Sequence, residues 1–426
     1  MTTSPNADPA FLDPAGHDPA PLDPALLDAA DPLAPFVDRF VPAEGVVAYL
    51  DGNSLGRPLK ATADRFADFV AHEWGTRLIR SWDERWMDLP TEIGDRIGSL
   101  SLGAAPGQTV VGDSTTVLLY KAIRAALELG LREGRREILL DDDQFPTDRF
   151  VIDGIARERG ATVRWIAVDK TLGVTPELLA EALSPDTAVV VINHVSYRSG
   201  FIADLPELTR LTHEAGARVV FDLCHSAGVV PMSLDDAGAD IAVGCTYKFL
   251  NGGPGAPAFL YARRDLHDAL EQPIQGWMGA ADVFAMAPAY VPAPSIRRFL
   301  SGTPPIVGML ALIDMLDLIE EAGLDRIRAK SLELTDYAFA LADERLAPLG
   351  VTTATPRERR IRGSHLTLAH PAFREILPRL WSAGVVPDFR NPDALRLGLS
   401  PLSTTFAEVE LGVEAIAEAL RDRVDA

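Results

Sequence analysis

The spacing of apolar residues divides the middle of the chain into regular elements. Between residues 136 and 223, short continuous apolar runs alternate with segments whose apolar residues recur every three or four positions. The first pattern predicts strands buried on both faces, and the second predicts helices. The apolar runs are REILLDD, ATVRWIAVD, TAVVVINHVS and ARVVFDL. We therefore predict an α/β fold with a mostly parallel central sheet and helices on both faces.

The pattern changes near residue 320. A long helix is predicted from residue 306 to 322, and beyond it short strands and helices form a smaller unit. We predict a large domain at 36–320 and a small C-terminal α+β domain at 321–426. Residues 36–75 could pack with the small domain. Residues 75–89 lack a clear period and are predicted to form a loop.

The start of the chain has a different composition. The pair Asp-Pro recurs through residues 1–35, and each proline disfavours a helical conformation at the residue before it. We predict a disordered, low-complexity tail there.

Charge and cysteine usage exclude several classes of protein. The net charge is −21, which disfavours nucleic acid as a partner because phosphate binding needs a positive surface. No apolar run reaches the length of a membrane span and no signal peptide is recognisable, so we expect a cytoplasmic enzyme without a membrane partner. Cys224 and Cys245 are expected to be buried free thiols rather than a disulfide, and no metal site is expected.

Polar side chains follow several of the predicted strands directly. They lie at residues 141–145, 193–197, 222–225 and 246–248, and ligands of parallel sheets bind beyond such carboxyl ends. Asp222 ends one apolar run, and Lys248 ends the next, before a Gly/Pro-rich turn. An aldehyde cofactor with a basic ring nitrogen needs one amine and one carboxylate in this relation. Taken singly, Lys248 could be a structural lysine and Asp222 a helix cap.

A third feature lies upstream of these two residues. The sequence GDSTT follows a short apolar run and precedes a predicted helix, with Ser114 or Asp113 as its expected cap. Free N–H groups at such a helix start bind phosphate. An ordinary capped helix is the alternative interpretation.

The order of motifs resembles that of the fold-type I pyridoxal-phosphate enzymes of the class V aminotransferase group. Within that group the chain is similar to the kynureninases. The resemblance runs from about residue 46 to the C-terminus, and FPTD, DLxH, TYKFLN and GWMG in this order are highly specific. The motifs are LDGNSLG (50–56), AHEWGTR (71–77), GDSTTVLLY (112–120), FPTDR (145–149), FDLCHSAG (221–228), CTYKFLNGGPG (245–255), GWMG (276–279), SGTPPI (301–306) and ALRLGLSPL (394–402).

The resemblance implies a cofactor, pyridoxal 5'-phosphate, and its ligands. Lys248 would carry the cofactor and act as the catalytic base, Asp222 would pair with the ring nitrogen, and Tyr247 would be the second catalytic residue. Trp277 and Thr303 would come from a neighbouring subunit, which implies a homodimer with shared active sites. The implied cofactor-binding residues are Thr115, Thr116, Phe145, Asp148, Asn193, Asp222, His225, Tyr247, Lys248, Trp277 and Thr303.

The resemblance also implies the substrate and the reaction. Arg396 would bind the α-carboxylate of an amino acid, and Ser54 and His72 would lie near its aryl group. The expected activity is hydrolytic Cβ–Cγ cleavage of L-kynurenine to anthranilate and L-alanine, in tryptophan degradation and the NAD-related kynurenine pathway. Thr303 departs from the pattern, because animal members that act on 3-hydroxykynurenine carry asparagine there. This difference favours the unsubstituted substrate.

Three alternatives are weighed against this prediction. A cysteine desulfurase needs a thiol in the last third of the chain, and no cysteine follows Cys245. Another class V aminotransferase or an epimerase would use the same lysine and aspartate. A non-catalytic protein that kept the fold is disfavoured because Lys248, Asp222 and Arg396 are all present.

Overall fold

A seven-stranded sheet forms the centre of the molecule in the computed structural model, which describes residues 23–424. The strand order is β2-β8-β7-β6-β5-β3-β4, and only β8 runs antiparallel to its neighbours. This confirms the predicted α/β class with a mostly parallel sheet. The strands are β2 (Thr109–Val111), β3 (Glu137–Asp141), β4 (Thr162–Ile166), β5 (Thr187–Asn193), β6 (Arg218–Asp222), β7 (Ile241–Gly244) and β8 (Phe259–Ala262).

Helices cover both faces of this sheet. Along β5, Val190 and Ile192 belong to one hydrophobic cluster, whereas Val189 and Val191 belong to another. Successive side chains of a strand point to opposite faces, so a continuous apolar run supplies both clusters. The helices of this part are α3 (Lys60–Asp68), α4 (Leu89–Ile97), α5 (Thr115–Arg132), α6 (Pro146–Arg159), α7 (Pro176–Ala182), α8 (Leu205–Glu214), α9 (Leu234–Ala237) and α10 (Ile306–Ala322).

A second, five-stranded sheet has the order β1-β11-β12-β10-β9. Its first strand, β1 (Ala48–Leu50), comes from the N-terminal part and pairs in parallel with β11. The remaining elements are β9 (Thr352–Thr353), β10 (His365–Ala369), β11 (Val385–Arg390), β12 (Ala394–Gly398), α11 (Leu324–Leu341), α12 (Phe373–Ser382) and α13 (Phe406–Val424). Residues 48–50 thus lie with the C-terminal unit, while the boundary near residue 320 stays a prediction.

The predicted disordered tail is wrong for residues 23–35, which form α1 (Pro24–Ala30) and the start of α2 (Ala34–Val37). The Asp-Pro pair that suggested disorder begins a helix here. Asp23 caps α1 by accepting from the Ala25 amide, and proline is well tolerated at the first helical position. The segment packs on α13, because Asp28 accepts hydrogen bonds from the amides of Phe406 and Ala407 at 2.8 and 3.1 Å. Residues 1–22 of the predicted tail lie outside the described range.

The predicted loop at 75–89 is also wrong. Residues 69–77, 78–80 and 82–86 form irregular helical turns that continue α3. Aromatic packing holds them together: the Phe69 and Trp86 ring centroids are 5.6 Å apart, and those of Trp82 and Trp86 are 5.3 Å apart. The contact between Phe69 and Trp86 joins residues far apart in sequence, so it leaves no helical period there. Across the described range 23–424, no helix is long and apolar enough to cross a bilayer.

Candidate active site

A cleft lies at the carboxyl ends of β5, β6 and β7. It brings together nine of the predicted site residues, which are Thr115, Thr116, Phe145, Asp148, Asn193, Asp222, His225, Tyr247 and Lys248. Three further residues line it that sequence reasoning did not assign to the site: Thr147, Tyr197 and Cys224. Their neighbours in sequence were predicted, so proximity to a strand end was the one signal available for them.

One end of the cleft is built to bind an anion. Thr115 and Thr116 are the first residues of α5, an 18-residue helix. Neither predicted capping side chain occupies the helix start: Ser114 makes no capping hydrogen bond, and the Asp113 carboxylate instead accepts from Lys121 Nζ at 2.6 Å. The amides of the first turn therefore face the cleft without a side-chain cap, at the positive end of the helix dipole.

The floor of the cleft carries two buried carboxylates. Asn193 Nδ2 donates to Asp148 Oδ2 and to Asp222 Oδ2, both at 3.0 Å, and so bridges the pair. Asp222 Oδ1 accepts from the Cys224 amide at 2.8 Å. Burial, and next the charge of Asp222, raise the pKa of Asp148 well above its usual value. A cation beside these two groups would be stabilised strongly, because neither carboxylate has an arginine or lysine as an ion-pair partner among the described residues.

Lys248 lies in the same cleft as the start of α5 and the two carboxylates of the floor. Its Nζ is 2.9 Å from His225 Nε2 and 6.0 Å from the centre of the Phe145 ring. The His225 ring is buried, and burial followed by the charge of Lys248 lowers its pKa well below the usual value. A neutral imidazole can accept a hydrogen bond from the lysine ammonium. Burial raises the pKa of the Tyr247 phenol above its usual value.

Arg396 lies in a second group of charged and polar residues, here named the carboxylate pocket. It comprises Asp51, Ser54, Asp388, Arg390 and Arg396. Arg396 is 1% exposed; its Nη1 donates to the Tyr197 carbonyl at 2.5 Å, and its Nη2 donates to Ser54 Oγ at 3.0 Å. Nη2 is also 2.5 Å from Asp388 Oδ2. Burial lowers the pKa of Arg396 to about 10. The contact with Tyr197 joins this pocket to the cleft.

The chain does not bring every predicted residue to the cleft. His72 is exposed and its Nδ1 is 2.7 Å from Asp68 Oδ1. Trp277 and Thr303 are exposed as well, in keeping with the expectation that they serve a neighbouring subunit. The roles of all three stay predictions.

The two cysteines are free and buried, as predicted. The Cys245 amide is 3.2 Å from Cys224 Sγ, and Cys224 lines the cleft beside Asp222.

The fold and the cleft define a fold-type I pyridoxal-phosphate enzyme. The family model described as Aminotransferase class-V matches residues 90–371, and the model of the Kynureninase C-terminal domain matches residues 327–416. The chain therefore belongs to the class V aminotransferase family and, within it, to the kynureninases.

Individual relatives agree with this assignment. A kynureninase from Pseudomonas fluorescens is 43% identical over 398 residues, covering 92% of this chain and 93% of that protein. One from Burkholderia pseudomallei strain 1106a is 42% identical over 393 residues, with the same coverage. Among solved structures, the cysteine desulfurase of Thermococcus onnurineus NA1 has a TM-score of 0.77 at 20% identity, covering 91% of this chain and 98% of that one. At that identity the likeness shows the fold alone.

The residues of the cleft fit pyridoxal 5'-phosphate, the cofactor of this family. The uncapped start of α5 suits the phosphate, and the buried pair Asp148 and Asp222 suits a protonated ring nitrogen. Lys248 lies within the same cleft, where an amine can bind the aldehyde carbon. The three parts of the cofactor thus each have a chemically matched group, and Phe145 offers an aromatic face to the ring.

Proposed function

We propose that this protein hydrolyses the Cβ–Cγ bond of L-kynurenine to give anthranilate and L-alanine. The observation that carries the proposal is the joining of a cofactor cleft, built around Lys248 and Asp222, to a pocket with the buried guanidinium of Arg396. The first would activate an amino acid, and the second would hold its α-carboxylate. The names of the relatives, 42–43% identical over 92% of the chain, supply the particular substrate.

Each residue of the cleft would hold one part of the cofactor. The amides and hydroxyls of Thr115 and Thr116 would bind the phosphate. Asp222, oriented by Asn193, would accept a hydrogen bond from the protonated ring nitrogen. Phe145 would pack on one face of the ring. When bound, pyridoxal phosphate withdraws electrons from the bonds at the α-carbon of the amino acid.

The chain's own groups would then move the protons. Lys248, once displaced by the substrate amine, would take the α-proton, and the neutral His225 beside it would accept a hydrogen bond from the ammonium so formed. Hydrolysis adds one water across the Cβ–Cγ bond: the hydroxyl goes to the carbonyl carbon of anthranilate, and a proton goes to Cβ of alanine. Tyr247 lines the cleft and its phenol is protonated at neutral pH, so it would donate that proton.

Arg396 would bind the substrate carboxylate from a fixed position. Its side chain is held by Ser54, Asp388 and the Tyr197 carbonyl, so it is oriented before the substrate arrives. A guanidinium suits a carboxylate because it donates two parallel hydrogen bonds.

We also propose a location in the cell, a pathway and an oligomeric state for the enzyme. We place it in the cytoplasm, within tryptophan degradation and the kynurenine pathway that leads towards NAD. A homodimer would complete the cofactor site with Trp277 and Thr303 of the neighbouring subunit; both side chains are exposed in the single chain, which leaves them free for such a contact.

The test is to incubate the cofactor-loaded protein with L-kynurenine and to follow anthranilate fluorescence and alanine. We expect both products in equal amounts. Cofactor binding without anthranilate, together with amino transfer from kynurenine to a keto acid, would overturn the proposal in favour of an aminotransferase. A parallel assay with 3-hydroxykynurenine measures the preference that Thr303 suggests, and we expect the unsubstituted substrate to react faster.

A further inference from the structure

A second histidine lies next to the cleft and has no assigned role. His365 is the first residue of β10 and pairs with Gly398 of β12, while Thr367 pairs with Arg396. Residues two apart on a strand, and residues opposite each other in a pair, share one face of the sheet. His365 and Arg396 therefore face the same way. That face meets the large domain, because Thr367 Oγ1 donates to the Arg198 carbonyl.

The His365 ring is fully buried, with an exposure of 0%, and neither ring nitrogen has a partner at ordinary hydrogen-bond geometry among the described residues. Burial lowers the pKa of the ring, and a weaker contact with the Arg198 backbone acts against that shift. Gly200 leaves room for the ring, since a Cβ there would lie 3.2 Å from His365 Nε2. Buried polar nitrogens almost always have a partner, often an ordered water.

The neighbouring ring, that of His225, also has a buried nitrogen without a hydrogen-bond partner among the described residues. The centroids of His225 and His365 are 5.7 Å apart, with 60° between the ring planes. His225 Nε2 faces Lys248 Nζ at 2.9 Å, whereas its Nδ1, also buried, has no partner in the described part of the chain. One water could bond to His225 Nδ1 and to a nitrogen of His365, since the two rings are neighbours and these nitrogens have no other close partner among the described residues.

The charges around the pair favour neutral rings. Burial lowers the pKa of both histidines well below the usual value, and the charged groups facing each are Lys248, Arg390 and Arg396. A neutral imidazole donates from one nitrogen and accepts at the other. The partner of Nδ1 therefore decides whether Nε2 of the same ring can accept.

We propose that His365 is a positioning residue for the lysine. One water accepts a hydrogen bond from His225 Nδ1 and donates one to His365. His225 Nε2 then carries no proton, and its lone pair is directed at Lys248 Nζ. His365 touches neither the substrate nor the cofactor; it acts through His225. The inference rests on the proposed function only in taking Lys248 as the reacting lysine.

The test compares His365→Leu, which removes both nitrogens, with His365→Gln, which keeps a donor and an acceptor. The control is His267→Gln, because His267 is also buried but bonds to the Ala262 carbonyl away from the cleft. The absorbance band of the cofactor is titrated in the substrate-free holoenzyme, since its midpoint reports the proton at the lysine nitrogen. Because an acceptor stabilises that proton, we expect the midpoint of His365→Leu to fall by about half to one pH unit, the effect of one hydrogen bond.

The glutamine variant and the control should titrate like wild type. On kynurenine, we expect kcat of His365→Leu to fall about tenfold, again the effect of one hydrogen bond, with KM little changed. A wild-type midpoint in His365→Leu would overturn the inference, and so would an equal shift in His365→Gln, which would mark a role in packing. A crystal structure of the wild-type protein adds a test without turnover: the water should lie between the two rings, and a dry gap would contradict the inference. Failure to form anthranilate would refute the proposed function alone.

Discussion

The cleft and the carboxylate pocket are balanced electrostatically in different ways. On the cleft floor, Asp148 and Asp222 share only the neutral amide of Asn193. In the pocket, the Arg396 guanidinium already has Asp388 at 2.5 Å. Because burial favours the protonated form of Asp148, the charge on the cleft floor is chiefly that of Asp222, which would pair with a cationic ring. The charges of the pocket are instead paired within the chain. A cofactor that stays bound suits the first arrangement, and a substrate that must leave suits the second.

The largest expected effect comes from the lysine of the cleft. Replacing Lys248 with Ala removes the proposed base, and we expect kcat/KM for kynurenine to fall at least about a thousandfold. Anthranilate fluorescence measures the rate. The control is Lys170→Ala, since Lys170 is exposed and distant in sequence from every cleft residue. Retained activity in Lys248→Ala would remove the lysine from the mechanism.

Arg396→Ala should affect substrate binding far more than cofactor binding. The change also removes one of the two arginines that pair with Asp388, whose other partner is Arg390 at 2.7 Å. We expect KM to rise about a hundredfold, within the range for broken charge pairs. The cofactor absorbance should stay intact. Arg396→Lys keeps the charge but cannot donate two parallel hydrogen bonds. We expect its KM to lie between those of the wild type and Arg396→Ala. The exposed Arg360 provides a control, Arg360→Ala, and an unchanged KM in Arg396→Ala would exclude this residue from the site.

Asp222→Asn tests the role of the charge on the cleft floor. The neutral side chain no longer stabilises a protonated ring nitrogen, so we expect kcat to fall about 10- to 100-fold, the range for a charged hydrogen bond. Asp148→Asn should cost less, because burial already favours its protonated form. Steady-state rates and cofactor dissociation constants of both variants check the order. If Asp148→Asn were the more damaging, the two carboxylates would have to exchange their assigned roles.

The smallest expected effect concerns pH. Burial, and then the charge of Asp388, raise the pKa of Asp51 to about 6. This folded-state value exceeds the ordinary one near 3.9, so between these pH values the folded protein binds more protons than the unfolded chain. The contribution of Asp51 to folding stability therefore falls as pH rises from about 4 to 6. Asp51→Asn should remove that contribution. The Tm of Asp51→Asn minus that of the wild type should therefore be larger at pH 7.5 than at pH 4.5. An equal difference at the two pH values would contradict the shifted pKa.

The two regions also differ in how well the sequence predicted them. Asn193 and Asp222 each end a parallel strand, and Lys248 lies just beyond the end of β7 at Gly244, so one local pattern placed all three at one edge of one sheet. The carboxylate pocket gave no such signal. Arg396 lies within β12, and its partners Ser54 and Asp388 come from opposite ends of the chain. Only the family resemblance singled out Arg396 and Ser54, and Asp388 was missed.

Other misses have the same physical origin. His365 lies in an ordinary apolar strand pattern, and its proximity to His225 depends on how the small sheet packs on the large one. The Asp-Pro pair at 23–24 looks like a helix breaker, yet it supplies a cap and a first helical residue whose helix is held by α13, far along the chain. Tertiary contacts of this kind leave no periodic signal in the sequence.

The proposed mechanism requires that the cleft hold pyridoxal phosphate on Lys248. The most direct measurement is to reduce the cofactor-loaded protein with borohydride, which makes an imine linkage permanent, and to locate the modified lysine by peptide mass spectrometry. We expect a single cofactor adduct, on the peptide that contains Lys248. An adduct on any other lysine, or none in a protein that binds the cofactor, would contradict it.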